Sequence, residues 1–178
     1  MQREWIGPIL NSYWVRPGVF LAGGYPGASY DKRVRQDLRR LLLVGVALFL
    51  DLTQEGEYGL EPYASLLLED ANALGRSVEY RRMPIPDMET PTHEEMTHVL
   101  DTIDSALEAN HAIYLHCFAG MGRTGTVVGC YLVRHGVDGK EALSEIAHLR
   151  RGAVDWWDRS PVTPAQRAMV REWPAEGW

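Results

Sequence analysis

The residues best equipped for chemistry fall in one run, His116-Cys117-Phe118-Ala119-Gly120-Met121-Gly122-Arg123-Thr124-Gly125. It joins an apolar segment, Ala112 to Leu115, to a stretch with helical spacing from about Thr124 to His135. Between a buried strand and a helix, a loop with Gly120 and Gly122 can turn its backbone N–H groups inward, and the helix start adds the positive end of its dipole. Together they make an anion cradle with Cys117 at its lip, where the N–H groups, the helix end and Arg123 favour thiolate over thiol. Five residues separate Cys117 from Arg123, which suits a loop that wraps a tetrahedral dianion and closes it with a guanidinium fork. The chemistry this points to is attack by sulfur on a bound phosphoryl group. His116 is placed to fix the loop through its ring nitrogens, and Thr124 to give a hydroxyl hydrogen bond to the thiolate. The competing reading of Cys117 is a small buried hydrophobe, but a Gly-rich loop opening a helix is the wrong place for a core residue.

The elements that must hold this loop are legible on either side of it. Val19 to Ala22 reads as a strand running into the turn-rich Gly23-Gly24-Tyr25-Pro26-Gly27, with a helix from about Ser29 to Leu43. Val46 to Leu50 is an apolar strand, Glu61 to Leu74 a helix stopped by Gly75, and Val78 to Arg82 another strand. Thr92-His93-Glu94-Glu95 is a capping box opening a helix that carries Met96, Val99, Leu100, Ile103 and Leu107 on one face. After the strand Ala112 to Leu115 come helices near Thr124 to His135, Gly139 to Arg150 and Pro164 to Trp173. The alternation predicts an α/β fold with a central, twisted, mostly parallel sheet flanked by helices and a helical C-terminal half. In such sheets ligands bind at the carboxyl ends of the strands, where the cysteine loop stands. No repeat, low-complexity stretch or linker breaks the chain, so residues 1–178 read as one domain.

Composition narrows the classes. The chain has 178 residues, 46% of them hydrophobic, and only two cysteines, too few for a disulfide framework. A formal net charge of −6 argues against a sequence-independent grip on nucleic acid or an anionic membrane, so neither is an expected partner. The apolar run Leu41 to Leu50 is interrupted by Gly45 and far short of the roughly 20 residues of a spanning helix. The first eight residues lack the apolar core of a secretory signal, so a cytoplasmic location is expected. Cys130 lies about 10 Å along the helix from the loop, too far for a disulfide with Cys117; it reads as a packing residue, with a backup-thiol role as the alternative.

The constellation Cys-x5-Arg-Thr, preceded by His116 and followed by Gly125, resembles the signature of the cysteine-dependent protein tyrosine and dual-specificity phosphatases. Leu21 to Gly27 is similar to the entry loop of the small bacterial and kinase-associated members of that superfamily, and the likeness extends over most of the chain. The resemblance implies a phosphocysteine intermediate, a phosphate-binding loop of Phe118, Ala119, Gly120, Met121, Gly122 and Arg123, and neither metal nor other cofactor. It implies a general acid on a separate loop about 30 residues before the cysteine, where Asp87 stands in Pro84-Ile85-Pro86-Asp87-Met88-Glu89-Thr90-Pro91. Gln166 matches the glutamine that positions the attacking water in several of these enzymes. The implied partners are a phosphorylated protein or a small phosphomonoester, phosphotyrosine first and phosphoserine or phosphothreonine second.

Each assignment has a competitor. Asp87 is also a turn aspartate beside prolines, and Glu89 is the substitute acid. Gln166 completes a capping box with Thr163 and Pro164, a role compatible with catalysis. Asp51, at a strand end, stays unassigned; Arg33, Arg35, Arg39 and Arg40 read as a solvated face; Trp156, Trp157, Trp173 and Trp178 read as core packing. The neutral loop residues Phe118, Ala119 and Met121 favour phosphotyrosine over the alternative of a phosphoinositide. A pseudophosphatase that only captures phosphopeptides is the alternative from another class, and a redox sensor using Cys117 a third.

Overall fold

A computed structural model describes residues 6–27, 33–153 and 157–175. Its core is a five-stranded sheet built from β1 (Ser12–Arg16), β2 (Phe20–Gly23), β3 (Val46–Asp51), β4 (Glu79–Arg82) and β5 (Ala112–His116). The spatial order is β1-β2-β5-β3-β4, with β1 antiparallel to β2 and every other pair parallel. Helices α1 (Val34–Leu43) and α2 (Ala64–Ala73) cover one face; α3 (His93–Glu108), α4 (Gly122–Arg134), α5 (Gly139–Leu149) and α6 (Pro164–Glu172) cover the other. This is the mostly parallel α/β architecture with a helical C-terminal half that the sequence alternation predicts.

Period-two alternation decides which side chains meet which helices. Ile113 and Leu115 of β5, Phe20 and Ala22 of β2, and Leu48 and Leu50 of β3 pack toward α3 to α6. The intervening Tyr114, Leu21 and Phe49 pack with Leu38, Leu41 and Leu42 of α1 and Leu67 of α2. The same parity sets the site: His116 falls on the α2 side, against Tyr63, while Cys117 joins the opposite core. Both faces of β5 are buried along its whole length, so a register slip there would cost the entire core.

The parallel strands end in register. Gly23 pairs with His116, His116 with Asp51, and Asp51 with Arg82. The segments that follow, at Gly24, Cys117, Leu52 and Met83, therefore emerge along one line at one edge of the sheet. Ladder-like bonds continue past the ends: Leu52 N–H donates to His116 O, Met83 N–H to Asp51 O and Ile85 N–H to Leu52 O. No described helix is long and apolar enough to cross a membrane.

Several boundaries differ from the sequence expectation. β1 was not expected; Tyr13 and Val15 point into the core from an edge strand whose hairpin turn runs through Pro17 and Gly18. The second helix begins at Ala64 rather than Glu61, since Pro62 and an exposed turn precede it. The expected start of the first helix near Ser29 lies outside the described residues. The capping box forms as expected, with Thr92 Oγ1 accepting from Glu95 N–H and Glu95 Oε2 accepting from Thr92 N–H. The α1 arginines are not simply solvated, because Arg35 and Arg39 both donate to the buried carboxylate of Asp70 and pin α1 to α2. Trp173 is buried against His93 as core packing, Trp157 is exposed, and Trp156 and Trp178 lie outside the described residues.

Candidate active site

The loop from Cys117 to Arg123 is held by its carbonyls. Phe118 O accepts from Tyr25 N–H at 2.9 Å, Met121 O from Ser160 Oγ at 2.7 Å, and Gly122 O from Thr126 Oγ1 at 2.8 Å. The Cys117 carbonyl faces His116 Nδ1 at 3.3 Å. Among the described residues, none of the backbone N–H groups from 118 to 123 reaches a protein acceptor. The scaffold thus uses the acceptors and leaves the donors, which is the arrangement of an anion cradle at a helix start.

Gly120 makes this turn possible. Its φ is +76°, and a Cβ there would stand 2.5 Å from the Gly23 carbonyl carbon and 2.7 Å from Gly24 N. Both obstacles are backbone atoms of the adjacent strand end, so they cannot rotate away. Gly120→Ala is expected to destabilise the protein by at least ~1–3 kcal/mol, the usual cost of such a conformation, and to abolish the loop's anion binding. Thermal unfolding with and without vanadate checks both effects.

His116 is fully buried, with Nε2 2.6 Å from Tyr63 Oη. Donation from Nδ1 to the Cys117 carbonyl and acceptance at Nε2 from the tyrosine fix one neutral tautomer. Burial lowers its pKa, against the opposing pull of Asp51, and so favours the neutral ring. Nδ1 thus contacts the loop at the Cys117 carbonyl, and Nε2 ties the ring to Tyr63 just before α2. Thr124 departs from expectation: its hydroxyl donates to Gly23 O at 3.3 Å rather than to the sulfur, because the end of β2 lies directly against the first turn of α4. Asp51 is buried, accepts from Thr53 N–H and Oγ1 and from Tyr80 Oη, and so closes its own loop and ties β3 to β4.

Arg123 is buried to 1% exposure in the first turn of α4. Nη1 donates to Glu57 Oε2 at 2.7 Å and to Ile85 O at 3.0 Å, and Nη2 to Glu57 Oε1 at 2.6 Å. Burial opposes the positive charge, but the Glu57 bonds, Cys117 and Asp87 outweigh it and keep the guanidinium protonated. One buried donor, Nε, has no hydrogen-bond partner among the described residues. Glu57 takes one N–H of each terminal nitrogen, so Nε and the second N–H of Nη2 form the edge that can turn to an oxyanion.

Asp87 reaches the same place, with Oδ1 3.0 Å from Arg123 Nη2. Its loop is anchored before it by Ile85, 2% exposed, and after it by Gln166 Nε2, which donates to Glu89 O at 3.1 Å. A tight turn with Glu89 N–H donating to Pro86 O projects Asp87 inward. The Glu89 side chain is exposed. Gln166 is buried, accepts from Val162 and Thr163 N–H groups, and completes the capping box, so its helix role is visible. A Cβ on Gly122 would stand 3.2 Å from its amide, placing Gln166 between the acid loop and the start of α4.

Three contributors escaped sequence reasoning. Glu57 and Tyr58 belong to a short 3-10 turn after β3, and Ser160 precedes α6. The resemblance led to Asp87; the rule that a loop after a parallel strand emerges at the carboxyl-end face covers it and applies equally to Gly56-Glu57-Tyr58-Gly59, which holds the first two. Among the described residues no group of three or more His, Cys, Asp or Glu side chains is arranged to hold a metal ion. Cys130 is fully buried, and burial pushes its thiol far above the ordinary value.

Comparison with known proteins agrees with this geometry. Residues 11–172 match the family described as PTP-SAK: Swiss Army Knife protein, DSP-PTPase phosphatase domain. The chain is 30% identical over 160 residues to a putative tyrosine phosphatase, 067L, of Invertebrate iridescent virus 3, covering 84% of this chain and 60% of that protein. The chain thus spans under two thirds of that relative, and 16% and 22% of two longer ones. Among solved structures, Tk-PTP in its active form superposes with a TM-score of 0.69 at 23% identity, covering 91% of this chain and 95% of that one. PTPMT1 in complex with PI(5)P gives 0.70 at 22% identity, with coverages of 92% and 94%. These likenesses share the fold, and the family match across nearly the whole length means that the chain belongs to the DSP-PTPase branch of the cysteine-dependent phosphatases.

Proposed function

We propose that the protein hydrolyses phosphomonoesters through a phosphocysteine intermediate, with phosphotyrosine as the preferred class and phosphoserine or phosphothreonine as secondary substrates. The observation that carries this reading is the set of donors without a partner among the described residues, the N–H groups of residues 118 to 123 and the buried Nε of Arg123, in the loop that Cys117 opens. Donors preorganised around a phosphoryl group stabilise the charge that develops in transfer. Cys117 sulfur attacks phosphorus in line, the S–P bond forms as the P–O ester bond breaks, and the leaving oxygen takes a proton from Asp87. Water then attacks the phosphocysteine with Asp87 as base and Gln166 beside it, and sulfur leaves as thiolate. Residues 11–172, which contain every residue named in these steps, act in this reading as one phosphatase domain.

The mouth of the site supports the substrate ranking. Tyr58, Met88 and Phe118 are exposed around it, and no lysine stands in the loop. A polyphosphorylated inositide would need cationic partners for its additional phosphates; an apolar, aromatic rim suits a single aryl phosphate. Turnover is expected in EDTA, with phosphotyrosyl peptides giving higher kcat/KM than phosphoseryl peptides, and both exceeding soluble phosphoinositides. A reversed ranking would move the substrate assignment to lipid phosphates while keeping the chemistry; phosphopeptide binding with no turnover of any ester would make the protein a capture module.

A further inference from the structure

The turn after β3 carries a second function within the site, and this inference rests on the phosphatase reading above. Tyr58 has a φ of +52°, between Gly56 at +71° and Gly59 at +70°. A tyrosine persists in that conformation only where its surroundings hold it there. Burial does not, since the residue is 66% exposed. What holds it are two contacts with the site itself. Its hydroxyl donates to Asp87 Oδ2 at 2.6 Å, and its ring lies 5.0 Å from that of Phe118, tilted by 45°. Its neighbour Glu57 meanwhile grips Arg123. Consecutive residues of one turn therefore hold the arginine and the acid.

The two oxygens of Asp87 are held differently. Oδ1 lies on Arg123 Nη2, and Oδ2 on Tyr58. A phosphoryl dianion closing on Nη2 competes with Oδ1 for the same donor. Once it has done so, the hydroxyl of Tyr58 is the side-chain anchor that Asp87 retains. We propose that Tyr58 is the positioning residue for the general acid: its hydroxyl keeps Oδ2 fixed while Oδ1, released from Arg123 by the substrate and protonated from solvent, carries the proton to the ester oxygen. As the P–O bond breaks, its electron pair passes to that oxygen, which takes the proton. Asp87 is left as a carboxylate, again an acceptor for both Tyr58 and Arg123 and ready to take a proton from water in the second step.

Tyr58→Phe tests this because it removes the hydroxyl and keeps the ring against Phe118. The probes are p-nitrophenyl phosphate, whose leaving group needs little protonation, and phosphotyrosyl peptide and alkyl phosphate, whose leaving groups need it. Expected is a fall in kcat of roughly tenfold on the two demanding esters, the scale of one charge-assisted hydrogen bond, a much smaller fall on p-nitrophenyl phosphate, and unchanged KM. On an Asp87→Asn background Tyr58→Phe should add little. An equal loss on every ester, or a fully additive loss in the double variant, would overturn the proposal and make Tyr58 a structural part of the turn. Leaving-group dependence in Asp87→Asn but none in Tyr58→Phe would sink this inference and leave the phosphatase reading standing. Absence of turnover by the native protein would sink the reading itself.

Discussion

Cys117→Ser is expected to lose turnover of aryl phosphates by roughly 10⁴-fold or more, the scale seen when a nucleophile is removed, while binding a phosphotyrosyl peptide about as well as the native protein. The separation follows from which atoms do which work. The cradle's donors are backbone N–H groups and Arg123, and its shape is fixed by carbonyl bonds to Tyr25, Thr126 and Ser160. None of these uses the sulfur. Arg123→Ala should instead lose binding and turnover together. It should also destabilise the fold by about 3–5 kcal/mol, because the Glu57 carboxylate, only 8% exposed, would be left buried without its partner. An aryl phosphate turnover assay, calorimetric titration with the peptide and thermal unfolding of both variants read the three quantities. Loss of peptide binding in Cys117→Ser at native stability would mean that the thiolate, not the cradle, supplies the affinity.

The parts legible in the sequence are those written in local pattern. β5 is a run of apolar residues ending at His116, and its loop opens α4 where the glycines and Arg123 indicate. Asp87 was reachable through the resemblance, and its loop follows β4 and therefore opens at the same edge. What escaped depends on distant pairing. β1 is a short edge strand whose partner is fixed by the hairpin rather than by its own periodicity. Glu57 carries no local mark of function; it becomes a ligand of Arg123, 66 residues away, only because β3 and β5 are adjacent and end in register. Thr124 shows the opposite failure. Its position beside Arg123 suggested a bond to sulfur, but the close approach of the loop to the end of β2, permitted by Gly120, gives its hydroxyl the Gly23 carbonyl as acceptor.

Asp87→Asn is expected to separate substrates by their leaving groups. An amide cannot give up a proton at neutral pH, so esters whose oxygen leaves poorly should lose about 10²–10³ in kcat, within the usual range for general acid catalysis. p-Nitrophenyl phosphate, whose phenoxide leaves unaided, should lose far less, and the dependence of kcat on leaving-group basicity should steepen. Fold and cradle should survive, because Asp87 is one-third exposed and Glu57 remains to hold Arg123. The charge change has its own consequence: removing a carboxylate that rests on Arg123 Nη2 frees that donor, so vanadate and phosphate should bind Asp87→Asn as tightly as the native protein or tighter. A variant that loses equally on all esters, or binds oxyanions more weakly, would place Asp87 in the scaffold and leave the acid to be sought elsewhere on its loop, with Glu89→Gln the next substitution to measure.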